Sequence, residues 1–130
     1  MGSIKQVILI RKDLKMRRGK EIAQGSHASM AFLTDRLRQQ PGPGNIALLE
    51  LSDAEQDWIS LGMGKVCLQV NSEEELLAHH QKALEQGLNS HLIKDSGRTE
   101  FGGIPTLTAC AIGPDDAARI DQVTGDLKLY

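Results

Sequence analysis

The stretch Lys5-Gln6-Val7-Ile8-Leu9-Ile10-Arg11 decides the fold class, because it places four consecutive aliphatic side chains between charged ends. A short apolar run bounded in this way is typical of a buried β-strand. The next residues, 12–19, have no apolar periodicity and predict a connection. From Gly19 to about Arg38, apolar or small side chains recur at helical spacing and predict a helix whose apolar face carries Ile22, Ser26, Met30, Leu33 and Leu37.

Capping boxes, glycines and prolines mark the remaining elements. Ser52 with Glu55 and Ser72 with Glu75 are typical of helix starts, because each pair can satisfy free backbone donors reciprocally. The predicted order after the Pro41–Gly44 loop is a short helix through Trp58, strand Lys65–Val70, helix Glu73–Gln86, strand Ser90–Lys94, loop Asp95–Pro105, strand Thr106–Ile112 ended by Gly113-Pro114, and helix Asp115–Val123. This order predicts an α/β chain with helices on both faces of a four-stranded sheet. The long helical crossovers favour parallel pairing of the earlier strands and allow an antiparallel edge.

Length and composition limit the class of protein. The 130 residues predict a single domain, 1–130, with an ordinary hydrophobic core. The run Val7–Ile10 is too short to span a bilayer or to form a secretory signal, so no membrane association is expected. Two cysteines 43 residues apart exclude a disulfide-rich secreted scaffold and favour a reducing, cytoplasmic location. Four aromatic residues argue against nucleic-acid binding by base stacking on an aromatic surface.

The net charge of −2 conceals an asymmetric distribution. Residues 1–38 hold nine basic and three acidic side chains, whereas the other 92 residues hold six basic and fourteen acidic ones. Six of the cations fall within Arg11–Lys20. This density indicates a local anion-binding site, although a solvated charged loop would give the same pattern.

Two polar clusters are candidates for a functional site. Lys20, Gln24 and His27 form a stripe along the predicted first helix, and a lysine in a first turn opposes the helix dipole. Asp95-Ser96-Gly97-Arg98-Thr99 follows a predicted strand, at the usual ligand position of open α/β sheets. Thr106 and Thr108 share one face of the last strand. A solvated helix face and the β-propensity of threonine would explain these residues without a function.

The familiar signatures of other enzymes are missing from the sequence. The four histidines form no HExxH motif and no cysteine-pair spacing, so a zinc site is not expected. The segment Gly42-Pro43-Gly44 follows a predicted helix rather than a strand, unlike a dinucleotide fingerprint. No Gly-x-Ser-x-Gly elbow of a serine hydrolase occurs.

Taken in order, several segments resemble the peptidyl-tRNA hydrolase 2 family over nearly the whole chain. The opening carries the resemblance in residues 5–16, Gly19-Lys20, Ala23-Gln24 and Ser26-His27-Ala28. Later matches are Trp58, Lys65-Val66, Ser72-Glu73, Gly87-Leu88, Asp95-Ser96-Gly97-Arg98-Thr99, Ile112-Gly113-Pro114, Ile120-Asp121, Val123-Thr124-Gly125 and Leu127-Lys128-Leu129.

The resemblance implies a three-layer α/β/α sandwich with a mixed, mostly parallel four-stranded sheet. It also implies hydrolysis of the ester that joins a peptide to tRNA, with peptidyl-tRNA as the partner and with no metal or organic cofactor. The residues implicated as catalytic are Lys20, Asp95, Thr99 and Thr108. Those expected to bind substrate are Gln24, His27, Arg17, Arg18 and Thr106.

Chemical roles can be assigned to these residues as hypotheses. Lys20 would stabilise the oxyanion or the leaving group, since an ordinary lysine, with a pKa of about 10.4, stays cationic. Asp95 would hold Lys20. Thr108 would position the attacking water or attack directly, with Thr99 as its hydrogen-bonding partner. Gln24 and His27 would orient substrate, and the basic segment that includes Arg17 and Arg18 would contact tRNA phosphates irrespective of sequence.

Two departures from the family pattern concern geometry. The loop that ends Gly102-Gly103-Ile104-Pro105-Thr106-Leu107-Thr108 is one residue longer than usual, and Gly25 stands where a cysteine is common. Two further functions stay open. The chain could bind tRNA or other RNA without catalysis, or it could be a protein-interaction module that uses the acidic Glu73–Glu75 patch. The sequence leaves the oligomeric state open and is compatible with a homodimer.

Overall fold

The computed structural model describes residues 2–130, so Met1 of the predicted 1–130 domain lies outside the described part. Each predicted strand and helix occurs, with small changes at its ends. In chain order the elements are β1 (Ile4–Arg11), a short 3-10 helix (Lys12–Leu14), α1 (Arg18–Gln39), α2 (Asp53–Ser60), β2 (Lys65–Val70), α3 (Glu73–Glu85), β3 (Ser90–Asp95), β4 (Thr106–Asp116) and α4 (Ala117–Thr124). The chain is therefore an α/β protein. The single-domain expectation stays a prediction.

The four strands form one mixed sheet in the order β2-β1-β4-β3. β1 pairs with β2 in parallel, whereas β4 pairs antiparallel with both β1 and β3. The prediction of a mixed sheet is confirmed, but the prediction that it is mostly parallel is wrong. The first three strands do run in the same direction, as their helical crossovers require. The sheet is mostly antiparallel because β4 runs the other way and lies between β1 and β3 instead of at an edge.

β4 is longer than the sequence predicts. The sequence predicts that Gly113-Pro114 ends the strand at Ile112. In the structure, pairing with β1 resumes at Asp115 and Asp116. The register is irregular between Lys5 and Val7, so two residues of β4 lie opposite the single residue Gln6 of β1. Such a bulge accommodates a proline, which has no N–H to donate to the ladder.

The buried face of α1 differs from the predicted apolar face. The helix buries Gln24, Ala28, Ala31 and Phe32, whereas Ile22 and Met30 are more than half exposed. The prediction that the larger aliphatic side chains face the core is therefore wrong at those two positions and also at Leu37, which is 40% exposed. Small side chains let α1 approach the sheet closely, and this leaves the aliphatic row at the side of the contact.

Alternate residues of β1 contribute to two separate apolar clusters. Val7 and Leu9 pack with α3 and α4 side chains, and Ile8 and Ile10 pack with Ala28 of α1. Because successive strand residues point to opposite faces of a sheet, the two clusters lie on opposite faces. This division of the core supports the three-layer arrangement, which stays a prediction.

A buried ion pair fixes α1 against α2. Arg36 donates two hydrogen bonds to the carboxylate of Glu55, at 2.8 and 2.6 Å. Glu55 is 1% exposed and also accepts from the Ser52 backbone N–H, in the capping box that the sequence predicts. Burial by itself would raise the pKa of Glu55, but these donors hold it below its ordinary value. The pair ties the middle of the chain to the helix that carries Lys20.

Within residues 2–130, no helix combines the length and the hydropathy that a membrane crossing needs. Both cysteines are free, Cys67 exposed and Cys110 buried.

Candidate active site

The fold brings together side chains from three segments that are distant in sequence. Lys20 lies in the first turn of α1, Asp95 is the last residue of β3, and Thr108 is the third residue of β4. Because β3 and β4 are antiparallel neighbours, the end of β3 meets the start of β4. α1 packs against both strands, with its first turn over this edge. The site therefore forms at the end of the sheet where β3 stops and β4 starts.

Lys20 is the centre of the cluster. Its ammonium donates to Asp95 Oδ1 at 2.8 Å and to Thr99 Oγ1 at 2.7 Å. The side chains of Lys20 and Asp95 are 14% and 11% exposed, so the charged pair is largely withdrawn from solvent. The ammonium also lies 5.9 Å from the centre of the Phe101 ring, within the range of a cation–π contact.

Asp95 is held in its ionised form. The hydrogen bond from Lys20 lowers the pKa of this carboxyl, and the backbone N–H of Gly97, the Lys20 charge and the Gln24 amide lower it further against the effect of burial. Gly97 N–H donates to Oδ2 at 2.8 Å, and Gln24 Nε2 donates to Oδ1 at 3.2 Å. A carboxylate with these partners can orient the Lys20 ammonium, but it has no proton to give at neutral pH.

Gln24 and Thr108 lie behind Asp95, away from solvent. Thr108 is fully buried and Gln24 is 2% exposed. The Thr108 hydroxyl donates to Gln24 Oε1, while Gln24 Nε2 donates to Asp95. The hydrogen bonds thus run from Thr108 through Gln24 to Asp95, and neither side chain faces the open side of the cluster.

The remaining site residues suggested by the sequence lie outside this cluster. His27 is exposed and lines a polar groove between α1 and β3, together with Arg38 and Lys94. Arg17 is exposed and pairs with Glu100 at 3.0 Å. Arg18 is also exposed. Thr106 is the first residue of β4, and its hydroxyl donates to the carbonyl of Ile104 in the preceding loop.

The loop between β3 and β4 shapes the open side of the cluster. Gly97 has a φ of +83°, and a Cβ at this residue would lie 2.3 Å from the carbonyl oxygen of Ile104. Gly103 N–H donates back to the Gly97 carbonyl at 2.9 Å. The two ends of the loop therefore pack against each other at a point where only glycine fits, and this contact fixes Thr99 near Lys20.

Two contributors to the site were not identified from the sequence. Phe101 lies beside the Lys20 ammonium, and Glu100 holds both the backbone N–H and the guanidinium of Arg17. No local pattern marks either residue, because each acts on a side chain about 80 positions earlier. The role of Gly97 did have a local signal, since an aspartate often accepts from the backbone N–H two residues later.

Taken as chemistry, the cluster presents a cation and a hydroxyl to the same open space. The ammonium is oriented by the Asp95 carboxylate, which stays ionised at neutral pH, and the hydroxyl of Thr99 is exposed. This arrangement can stabilise negative charge that develops on an oxygen, as ester cleavage requires.

Comparison with known proteins identifies the family. The family model described as "Peptidyl-tRNA hydrolase PTH2" matches residues 4–130. A peptidyl-tRNA hydrolase of Methanocaldococcus jannaschii is 40% identical over 126 residues, which cover 97% of this chain and 99% of the relative. A peptidyl-tRNA hydrolase of Methanothermobacter thermautotrophicus is 41% identical with the same coverage. A probable peptidyl-tRNA hydrolase 2 of Dictyostelium discoideum is 39% identical over the whole of this chain and 56% of its own length. The chain therefore belongs to the peptidyl-tRNA hydrolase 2 family.

Proposed function

We propose that Lys20, Asp95 and Thr99 form the hydrolytic centre with which this enzyme cleaves the ester bond between peptide and tRNA. The observation that carries the proposal is the double contact of the Lys20 ammonium, which binds Asp95 and Thr99 at once in a largely buried position. Hydrolysis of that ester is the reaction named for the family and for the relatives of this chain.

In the proposed reaction, water attacks the carbonyl carbon of the ester. A C–O bond forms to the water oxygen, and the C–O bond to the ribose oxygen then breaks. One water proton ends on the ribose oxygen and the other is released from the peptide carboxyl group, so the products are a peptide carboxylate and free tRNA. Lys20 supplies the positive charge that the tetrahedral oxyanion and the departing ribose oxygen need.

The buried position of Thr108 favours a different division of roles between the two threonines. Thr99 is exposed and contacts Lys20, so its hydroxyl is the one that can meet substrate or the attacking water. Thr108 and Gln24 act as positioning residues, because they reach substrate only through Asp95. Among residues 2–130, no side chain that could serve as a base contacts the Thr108 hydroxyl, which favours water over threonine as the nucleophile.

The tRNA part of the substrate is assigned to the cationic surface around the start of α1. Arg17 and Arg18 are exposed there, and His27 with Lys94 extends the polar surface along the α1–β3 groove. Thr106 is the first residue of β4, directly after the loop that holds Thr99, and would contact the acceptor end. Contacts of cations with phosphates are independent of sequence, which suits an enzyme that accepts many tRNAs.

Two substitutions test the centre directly. Lys20→Ala and Asp95→Ala should each lower kcat for an N-blocked aminoacyl-tRNA by at least about 10²-fold, because each removes the oriented charge on the oxyanion. Release of the acyl group from purified substrate is measured, with circular dichroism to show that each variant is folded. Lys82→Ala, an exposed lysine on α3, is the control and should keep full activity.

Folded variants at Lys20 and Asp95 with full activity would contradict the site. A wild-type chain that binds the substrate but releases no acyl group would instead indicate a non-catalytic RNA-binding protein.

We place this activity in the cytoplasm, where peptidyl-tRNA arises and where the two free cysteines would stay reduced. A homodimer is the second partner expected from the sequence, and light scattering on the purified chain tests it.

A further inference from the structure

α1 is flanked by two grooves of opposite chemistry. The groove on the β3 side is polar and contains His27, Arg38 and Lys94. The groove on the β1–β2 side has a volume of about 540 Å³ and a mostly apolar lining, with Ile8 and Ile10 in its floor. That volume is within the range of ordinary ligand-binding sites.

The apolar groove exists because α1 carries small residues where it passes over β1 and β2. Gly25 and Ser29 are one helical turn apart on this side, and a Cβ at Gly25 would meet nothing within 4 Å. Ser29 is held down by a hydrogen bond to the buried Gln6 side chain. Ile22 and Met30, which α1 leaves largely exposed, form the apolar rim.

The last residues of the chain form the opposite wall. Tyr130 N–H donates to the Cys67 carbonyl of β2, and the Tyr130 hydroxyl donates to the Glu21 carboxylate across the groove. Burial, together with this contact with a carboxylate, raises the pKa of Tyr130 to about 12, so the hydroxyl keeps its proton at neutral pH. The groove is therefore walled on both sides and has a fixed shape.

We propose that this groove binds apolar side chains of the peptide portion of peptidyl-tRNA. The inference rests on the proposed catalytic centre. Glu21 lines the groove and directly follows Lys20 on α1, so the groove lies beside the turn of α1 that holds the ammonium. In the proposed reaction the ester lies at that ammonium, so the peptide joined to it would run along a surface next to this turn of α1.

The charged and apolar side chains that line the two grooves indicate which groove binds the peptide and which binds tRNA. The substrate has a polyanionic half and a peptide half. The β3-side groove is lined by Lys94 and Arg38, which can meet phosphates, and also by Asp35, which pairs with Arg38 at 3.0 Å. The β1–β2 side offers mostly aliphatic surface, and its two charged side chains, Glu21 and Lys65, are of opposite sign, so this groove suits uncharged side chains better than phosphates. The grooves thus assign tRNA to one side of α1 and peptide to the other.

The test compares two N-acetylated peptidyl-tRNAs with the same tRNA and the same esterified residue, preceded by either Leu-Leu or Ser-Ser. The wild-type chain should hydrolyse the leucine substrate with a kcat/KM roughly tenfold higher, because apolar surface is removed from water on binding. Gly25→Leu fills the groove and should bring the ratio of the two kcat/KM values close to one. Ile22→Asp, at an exposed position, should lower the ratio as well. Ala78→Leu on α3 is the matched control and should keep the wild-type ratio.

Three results would overturn the proposal. The first is equal kcat/KM values for the two substrates in the wild-type chain, and the second is a ratio of these values that neither groove variant changes. The third is a wild-type dimer in light scattering that Gly25→Leu dissociates, because this would show that a second copy covers the groove. The ratio is measured whichever residues perform the chemistry. Its failure therefore differs from failure of the catalytic centre, which full activity of Lys20→Ala would reveal.

Discussion

Asp95 receives hydrogen bonds from the Lys20 ammonium and the Gln24 amide, which are one turn apart on α1, and from the backbone N–H of Gly97 in the loop after β3. The side chain of a solvated lysine samples many rotamers, so its ammonium has no fixed position. Fixed between Asp95 and Thr99, the Lys20 ammonium is already oriented before substrate binds, so little reorganisation is needed when negative charge develops.

The lowered pKa of Asp95 predicts how stability depends on pH. In the folded chain the pKa lies below its ordinary value of 3.8, chiefly because of the Lys20 hydrogen bond. The stabilisation is therefore complete above the pKa of the unfolded chain and is lost as the pH falls through the lower, folded pKa. Asp95→Asn should lower the free energy of unfolding by about 1–3 kcal/mol at pH 7, and this difference should shrink below about pH 4.

Urea unfolding of both proteins at pH 7, 5, 4 and 3 measures that difference. Asp126→Asn, at an exposed carboxylate, serves as the control and should change stability little. A difference at pH 3 as large as that at pH 7 would mean that Asp95 is not held as an ion by its partners.

At the scale of elements, the loop between β3 and β4 is what brings Thr99 to Lys20. The loop folds back on itself at Gly97, whose positive φ and close contact with the Ile104 carbonyl leave no room for a side chain. That this loop carries one residue more than the family pattern stays a prediction, and Thr108 lies in β4 rather than in the loop. A loop tolerates an insertion more easily than a strand does. In a strand, a shift of one residue would move every side chain to the opposite face of the sheet.

Gly97→Ala should disturb both the loop and the reaction. The Cβ would clash with backbone at 2.3 Å, so we expect a loss of about 1–3 kcal/mol in stability and a loss of at least tenfold in kcat/KM. Gly102→Ala is a matched control in the same loop, because its φ of +59° is also positive but its Cβ would meet nothing within 4 Å. The control should cost about 1 kcal/mol and leave kcat/KM within a few-fold. Equal losses in the two variants would contradict the importance of the Gly97 contact.

At the scale of the whole molecule, the cations that the sequence concentrates in residues 11–20 lie next to the Lys20 cluster. The dense cations of Arg11–Lys20 lead from the end of β1 to the first turn of α1, and the folded chain uses some of them internally. Arg11 donates to Asp13 and to the Leu107 carbonyl, and Lys20 belongs to the cluster. Arg17 and Arg18 stay exposed and can meet phosphates.

The salt dependence of tRNA binding tests this surface. Arg18→Glu should weaken binding and flatten the plot of log K against log salt concentration by about 0.7–0.9 for each phosphate contact that is lost. Arg18 is preferred to Arg17 for this test because Arg17 also pairs with Glu100, in the loop between β3 and β4. Lys82→Glu makes the same charge change on α3 and should leave the slope nearly as in the wild-type chain. A slope identical in Arg18→Glu and wild type would remove Arg18 from the interface.

The sequence by itself determined the type and order of the elements, and it suggested most of the residues of the proposed site. These depend on local physics: the β1 run, the capping box at Ser52 and the spacing of Lys20 and Gln24 each act within a few residues. Only the tertiary structure decided that β4 lies inside the sheet, that α1 buries Gln24 rather than Ile22, and that Thr108 is enclosed while Thr99 is open. Lys20 and Asp95 are 75 positions apart, and their meeting depends on which strands become neighbours when apolar surface is buried across the whole sheet. No periodicity within one segment specifies that choice.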